Sequence, residues 1–410
     1  MRKLRWLVLA LLTIGVLAAA GCGDDDDDGG GGGGGGGASG EPVKVGASLP
    51  LTGEFSEPGK AAKQGYEVWE AMVNDSGGLI DGRPVEMVIK DDQSNQNTIV
   101  ADYNALISQD KVDLLLGTFS SLLNLPASAV AEKNRMLYVE PAGGAPELFD
   151  RGFKYLFFAQ QATADKQGEV WAKYVTELPE AERPKTAAYP TLDDPFTTPT
   201  SEGIEAILSE AGIETVYRET YTADTTNFDS IANAVKRANP DLVVSGSIAA
   251  DGIQLIRSLQ KLKFSPKMLY QTNTPTDPSF ASSIGEESTE GILTYLAYSP
   301  EASYPGNAEF VAGYEKQFGA APTEDAANSY TAGQVLAAAV EAVGKLDQPK
   351  IAEWLHANTV DTIVGPLSWD AAGRSQGKML LGQFQGGELK IVAPADAATS
   401  QEIVYAKPPW

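Results

Sequence analysis

From Val43 onward the apolar positions change period repeatedly. Val43–Leu49 reads as a buried strand, Ala62, Tyr66, Trp69 and Val73 then fall on one helical face, and Val85–Lys90 returns to strand. Ile99, Tyr103, Leu106 and Ile107 mark the next helix, Val112–Gly117 a strand, Leu122–Asn134 a helix and Met136–Val139 a strand. Strands joined by helices of this length predict a parallel sheet covered on both faces, with right-handed connections. After Phe158 the pattern restarts: helices over Asp165–Glu177, Ser201–Ala211, Phe228–Ala238 and Gly252–Lys261 alternate with strands over Lys185–Tyr189, Thr215–Tyr221, Leu242–Ser245 and Met268–Tyr270. Two similar α/β lobes follow. The helices near Asn307–Phe318 and Ala326–Gly344 come after the second set is complete, so they are expected to return to the first lobe, with extended Gly291–Tyr298 as the crossing. No repeat of 20–50 residues is visible, which excludes a solenoid.

The first forty residues have another character. Arg2, Lys3 and Arg5 precede the apolar run Trp6–Leu17 and a stretch of small residues, the layout of a secretory signal. The run is shorter than the roughly 20 residues of a membrane span. Ala19-Ala20-Gly21-Cys22 resembles the bacterial lipobox, with Ala19 where that motif favours leucine; Cys22, the only cysteine, would then carry the lipid. Asp24–Asp28 and Gly29–Gly37 read as a solvated spacer rather than a metal site.

Of 410 residues, 43% are hydrophobic and 21% charged, proportions of a folded protein. The formal net charge of −24 sets nucleic acid aside, since no basic patch offsets it. An enzyme is not indicated either. His356 is the one histidine and falls in the helical pattern of Ile351, Trp354 and Leu355, so neither a zinc set nor a histidine-assisted nucleophile is at hand. Asp91-Asp92 would suit glycoside chemistry, but adjacent residues at a strand end point to opposite faces and serve better in loop hydrogen bonding. Gly77-Gly78 lacks the context of a dinucleotide site, and no cofactor is expected.

Ligands of open α/β sheets sit beyond the carboxyl ends of the strands. Thr118-Phe119-Ser120-Ser121 leads there into a helix whose free N–H groups could hold an anion, though Ser120 or Ser121 could equally be a plain N-cap. Pro141-Ala142-Gly143-Gly144-Ala145 exposes its backbone to a ligand, or is a simple turn. Pro50-Leu51-Thr52-Gly53 closes the first strand-to-helix turn. The second lobe offers Asp193-Asp194-Pro195-Phe196, Ser247–Asp251 and Gln271-Thr272-Asn273-Thr274, with Phe196 either capping an apolar ligand or packing.

These segments carry a resemblance. Val45–Gly53, Gly77–Arg83, Asp91-Asp92-Gln93, Leu116–Ser121, Pro141–Leu148 and Gly365-Pro366-Leu367-Ser368-Trp369-Asp370 recur in the order found in type I periplasmic solute-binding proteins of the branched-chain amino acid family. The resemblance implies an α/β fold of two Rossmann-like lobes with parallel sheets joined by three crossings, closing on a small ligand. With the segments read above, the expected division is a signal peptide over 1–21, a lipidated tether over 22–40, an N-lobe of 41–157 plus 298–376 and a C-lobe of 158–297 plus 377–410. The resemblance further implies a carboxylate held at Ser121 and by the backbone around Ala142 and Gly144; Ser120, Gly143, Phe196 and Asn273 join these as candidate ligand-binding residues from their loops. The acid that usually meets an α-ammonium falls near Thr272 or Asn273 here, and an expected aromatic falls near Pro58; Asp194, Asp251 and Glu140 are the candidates to replace the acid. The implied role is an anchored extracytoplasmic subunit that passes its solute to an ABC permease and ATPase. The alternative is a ligand-sensing receptor subunit using the same closure; genes for a permease or for a signalling protein beside its own would separate the two.

Overall fold

The computed structural model describes residues 40–248, 250–395, 397–400 and 402–410. Cys22, the signal and the spacer lie outside them. Fourteen strands occur among the described residues, in chain order β1 (Val43–Leu49), β2 (Val85–Asp91), β3 (Leu114–Leu116), β4 (Tyr138–Glu140), β5 (Leu156–Phe158), β6 (Thr186–Leu192), β7 (Glu214–Tyr221), β8 (Leu242–Ser245), β9 (Met268–Gln271), β10 (Ile292–Leu296), β11 (Val360–Thr362), β12 (Gly365–Leu367), β13 (Leu380–Gln385) and β14 (Glu388–Ala393). The helices are α1 (Ser56–Asp75), α2 (Gln96–Ser108), α3 (Ser121–Lys133), α4 (Pro146–Phe149), α5 (Ala164–Gln167), α6 (Glu169–Glu177), α7 (Thr197–Glu210), α8 (Asp229–Ala238), α9 (Ala250–Lys261), α10 (Phe280–Ile284), α11 (Asn307–Phe318), α12 (Glu324–Val343) and α13 (Gln348–Ala357).

The first lobe is built on a parallel sheet of order β2-β1-β3-β4-β5. With both faces covered, β3, β4 and β5 are buried throughout and β1 nearly so, while the edge strand β2 is mostly half-buried. The second sheet has the order β14-β13-β10-β9-β8-β6-β7. Its strands from β7 to β10 pair in parallel, while β13 and β14 add an antiparallel hairpin from the end of the chain. The periodic pattern did not announce that hairpin.

One face of the first sheet is covered by helices from both ends of the sequence. Val43, Val45, Tyr66 and Trp69 share a core with Phe310, Val335, Leu336, Val340, Ile351 and Leu355, so α11, α12 and α13 return to the first lobe. The segment Gly291–Tyr298 is strand β10 for most of its length; the chain leaves the second sheet at Ala297, and Tyr298 packs edge-on against Phe310 of the first core. The single helix expected over Asp165–Glu177 is two helices separated at Gly168. The physical reason is close packing against α7: a β-carbon on Gly168 would lie 2.3 Å from Ile204, and one on Gly203 would lie 2.1 Å from the carbonyl oxygen of Asp165.

Three passages of the chain between the sheets meet at Gln161. Its buried side-chain amide donates to the carbonyl oxygens of Ala297 (2.6 Å) and Val364 (3.0 Å), and its backbone carbonyl accepts the N–H of Gly377 (2.7 Å). Gln161→Ala is expected to leave two carbonyls unsatisfied and to cost about 1–3 kcal/mol, read as a lower urea midpoint; an unchanged midpoint would show that the passages hold without it.

Candidate functional site

Asn124 shapes the loop between β3 and α3. Its Oδ1 accepts the Thr118 N–H (3.2 Å) and the Tyr138 hydroxyl (2.7 Å), while its Nδ2 donates to the Thr118 carbonyl (2.7 Å). The loop is thereby turned so that Phe119, Ser120 and Ser121 line an inner chamber of about 30 Å³, room for one or two water molecules. Ser120 occupies the N-cap position of α3 yet makes no capping hydrogen bond; it is 5% exposed and its Oγ has no partner among the described residues. Ser121 Oγ accepts the N–H of Ala145 (3.1 Å), tying the Pro141–Ala145 loop to the helix start. The first-turn N–H groups of α3 have no carbonyl behind them within the helix, which makes this end of the chamber an anion-binding end.

Ala142 and Gly144 also line the chamber, but the loop does not present its backbone as expected. The N–H groups of Ala142 and Gly143 both donate to Oε2 of Glu140, and Gly143 is not part of the chamber wall. The Ala142 and Gly143 N–H groups are thus held by a buried carboxyl one residue before the loop rather than turned toward the chamber. Gly144 gives its carbonyl to Ala164 (2.7 Å) and keeps its place in the wall.

The opposite wall belongs to the second lobe. Phe196, at the start of α7, meets Tyr295 edge-on at 6.3 Å, and both line the chamber with Ile248 and Asn273. Asn273 is oriented by the Tyr295 hydroxyl, which donates to its Oδ1 (3.0 Å). Two wider spaces continue outward. One of about 430 Å³ shares Phe119, Ile248, Asn273 and Asp325 with the chamber, and one of about 330 Å³ runs from Phe55 and Ile248 to Asp194 and Asp251. The whole forms a cleft between the carboxyl ends of the two sheets.

None of the three acids expected to replace the missing one lies in the chamber. Glu140 is fully buried behind the loop, and burial pushes its carboxyl up to about 8. Asp194 accepts the Phe196 N–H (2.7 Å) and Asp251 the Tyr221 hydroxyl (2.8 Å), both in the outer space. The acids that do line the chamber are Glu324 and Asp325, the first residues of α12. Burial, with each acid's acidic neighbours, raises Glu324 to about 8 and Asp325 to about 7. Glu324 Oε2 also accepts the N–H of Ala297 (3.0 Å), where the chain leaves β10. Gln160, Gln167 and Asn328 complete the wall.

The other chemistry-bearing candidates are structural. Asp91 accepts the Leu51, Thr52 and Gln93 N–H groups and the Thr52 hydroxyl, and Asp92 accepts the Ser94 N–H, so this pair ties loops together. His356 ends α13 with Nδ1 3.0 Å from the Asp370 carbonyl oxygen and its ring 4.6 Å from that of Phe157.

The chain matches the family model described as periplasmic binding protein over residues 42–388. It is 26% identical to an amino acid binding protein of Pseudomonas aeruginosa over 334 residues, 81% of this chain and 87% of the relative. It is likewise 26% identical over 343 residues to the Leu/Ile/Val-binding protein of Escherichia coli, 83% of this chain and 90% of that one. Among solved structures, a leucine-binding protein from Thermotoga maritima superposes with a TM-score of 0.77 at 23% identity, covering 86% of this chain and 98% of the other. A solute-binding protein of an ABC transporter from R. palustris, in complex with benzoate, gives 0.76 at 22% identity over 90% of this chain and all of the other.

Proposed function

The chain belongs to the periplasmic binding protein family of extracytoplasmic substrate-binding proteins, which are not enzymes, and we propose that it captures a branched-chain amino acid or a related small carboxylate or amide for an ABC importer. The observation that carries this reading is the pairing, in one chamber, of the α3 start at Ser120 and Ser121 with the apolar wall of Phe196, Tyr295 and Ile248. The first takes a carboxylate, the second an aliphatic or aromatic side chain. Relatives named for leucine, isoleucine and valine, and a structural neighbour holding benzoate, bracket the same ligand chemistry.

The chamber is smaller than any amino acid, so entry requires the walls to part. The bodies that part are residues 41–157 plus 298–376 and residues 158–297 plus 377–410, turning about the passages gathered at Gln161. Ligand then favours the closed form, which is what the permease recognises. Cys22 carries the lipid that holds the protein to the outer face of the membrane, with the spacer giving it reach.

A thermal-shift panel tests the capture. The purified, ligand-stripped protein is expected to gain about 2.7 kcal/mol from a ligand at 100 times its Kd, seen as a raised melting temperature with at least one of leucine, isoleucine, valine or a small carboxylate or amide. A flat response to all of them would overturn the proposed cargo.

A further inference from the structure

We propose that Glu324 and Asp325, on the first turn of α12 in the first lobe, hold the ammonium group of the ligand, with Asn328 supplying a third acceptor. The inference rests on the cleft being the solute site and deepens it: the ligand is an amine with an apolar body, and its positive end is read by the first lobe rather than by the Thr272-Asn273 loop of the second.

Among the described residues, the chamber wall holds two carboxyls and no lysine, arginine or histidine. Both acids sit in its wall, and their burial leaves their charge uncompensated from within the protein. An independent observation points the same way. Asn328 lies three residues beyond Asp325 and four beyond Glu324, hence on the same side of the helix. It is 1% exposed, it lines the chamber, and its Oδ1 has no partner among the described residues. Gln167, 2% exposed on the same wall, also has an unpartnered Oε1. Buried acceptors left without donors are costly and rare, and two of them beside two buried carboxyls in one small space call for a group that only donates. An ammonium group has three N–H donors and a positive charge, and it meets both needs.

The Thr272-Asn273 loop cannot do this work. Asn273 Oδ1 already accepts the Tyr295 hydroxyl, and Thr272 Oγ1 accepts the Ser247 N–H (2.8 Å) while donating to the Ser247 carbonyl, so both are engaged within the second lobe. Glu324 adds a link to closure, since its Oε2 accepts the N–H of Ala297 at a passage between the lobes.

Isothermal titration of the full chain with three probes tests the assignment: L-leucine, 4-methylpentanoate, which lacks the ammonium, and 3-methylbutylamine, which lacks the carboxylate. Leucine is expected to bind at least tenfold more tightly than 4-methylpentanoate. Asp325→Asn and Glu324→Gln are each expected to weaken leucine and the amine tenfold or more while leaving 4-methylpentanoate within about twofold, a selectivity change that a merely loosened fold would not give. Amine binding without any response to the carboxylate would support the ammonium site and remove the carboxylate end of the functional reading. Equal binding of leucine and 4-methylpentanoate, or unchanged leucine affinity in both variants, would overturn the ammonium site and leave solute capture standing. No binding by any probe would overturn both.

Discussion

A Gly65→Ala chain is expected to melt far below the parent, or to fail to fold. Gly65 faces α12 across the first core, and a β-carbon there would stand 2.0 Å from the carbonyl oxygen and 2.8 Å from the carbonyl carbon of Ala326. Both partners are helix backbone, so neither can swing aside as a side chain would, and α1 has to lift off α12. Lifting it uncovers Tyr66 and Trp69, which are 0% and 1% exposed in the assembled core. Overpacking a core costs about 1–3 kcal/mol in general; the backbone collision puts this one at or above the top of that range. Gly313→Ala in α11 is the control, because its β-carbon would find only ordinary contacts at 3.6 Å to Met72 and 3.7 Å to Val68. That variant gains helix propensity and is expected to match or exceed the parent. Thermal unfolding followed by circular dichroism separates the two; equal melting temperatures would mean that α1 and α12 pack less tightly than described.

The second large effect is a loss of stability as pH rises. Three donors converge on Oε2 of Glu140, while its Oε1 has none, and burial lifts the carboxyl from its ordinary 4.5 to about 8. Asp92 is lifted from 3.8 to about 7, again chiefly by burial. Between the ordinary values and these raised ones the folded chain keeps protons that the unfolded chain gives up. Stability is therefore greatest near the ordinary carboxyl values and falls as pH rises to about 7 for Asp92 and about 8 for Glu140, by at most about 1.4 kcal/mol per pH unit for each group. Glu324 and Asp325 act in the same direction when no ligand is present. The ligand-free protein is expected to melt higher at pH 5 than at pH 8, and Glu140→Gln, which keeps the acceptor and never ionises, is expected to reduce the difference, the remainder coming from Asp92, Glu324 and Asp325. A melting temperature that climbs from pH 5 to pH 8 would contradict the account of Glu140.

Much of this site was legible along the chain because strand ends announce themselves. Ser120, Ser121, Ala142, Gly144, Phe196 and Asn273 each follow a short apolar run that becomes a strand, and the fold carries all six to one chamber. What failed to show was direction and distance. Gly143 cannot be told from Gly144 by type, and only the side chain of Glu140, folded back under the loop, decides which of them faces the cleft. Glu324 and Asp325 look like any acidic pair opening a helix, where they suit the positive end of the helix dipole. Their role depends on α12 reaching a chamber whose other walls come from Phe119 to Tyr295, earlier in the chain and in both lobes. The break at Gly168 was hidden for a similar reason, since it answers to Ile204 and not to its neighbours in sequence.

The return of α12 to α1 also bears on when the molecule can fold. A chain synthesised only as far as Phe318 has every strand of the first sheet but lacks α12 and α13, whose Val335, Leu336, Val340, Ile351 and Leu355 complete the core over Val43, Val45 and Trp69. Contacts of such long sequence separation form late, because the loop between them has to close before they contribute. The apolar face of α1 therefore waits uncovered until the last quarter of the sequence is made. The first lobe accordingly reaches its native packing only after α12 and α13 have been made.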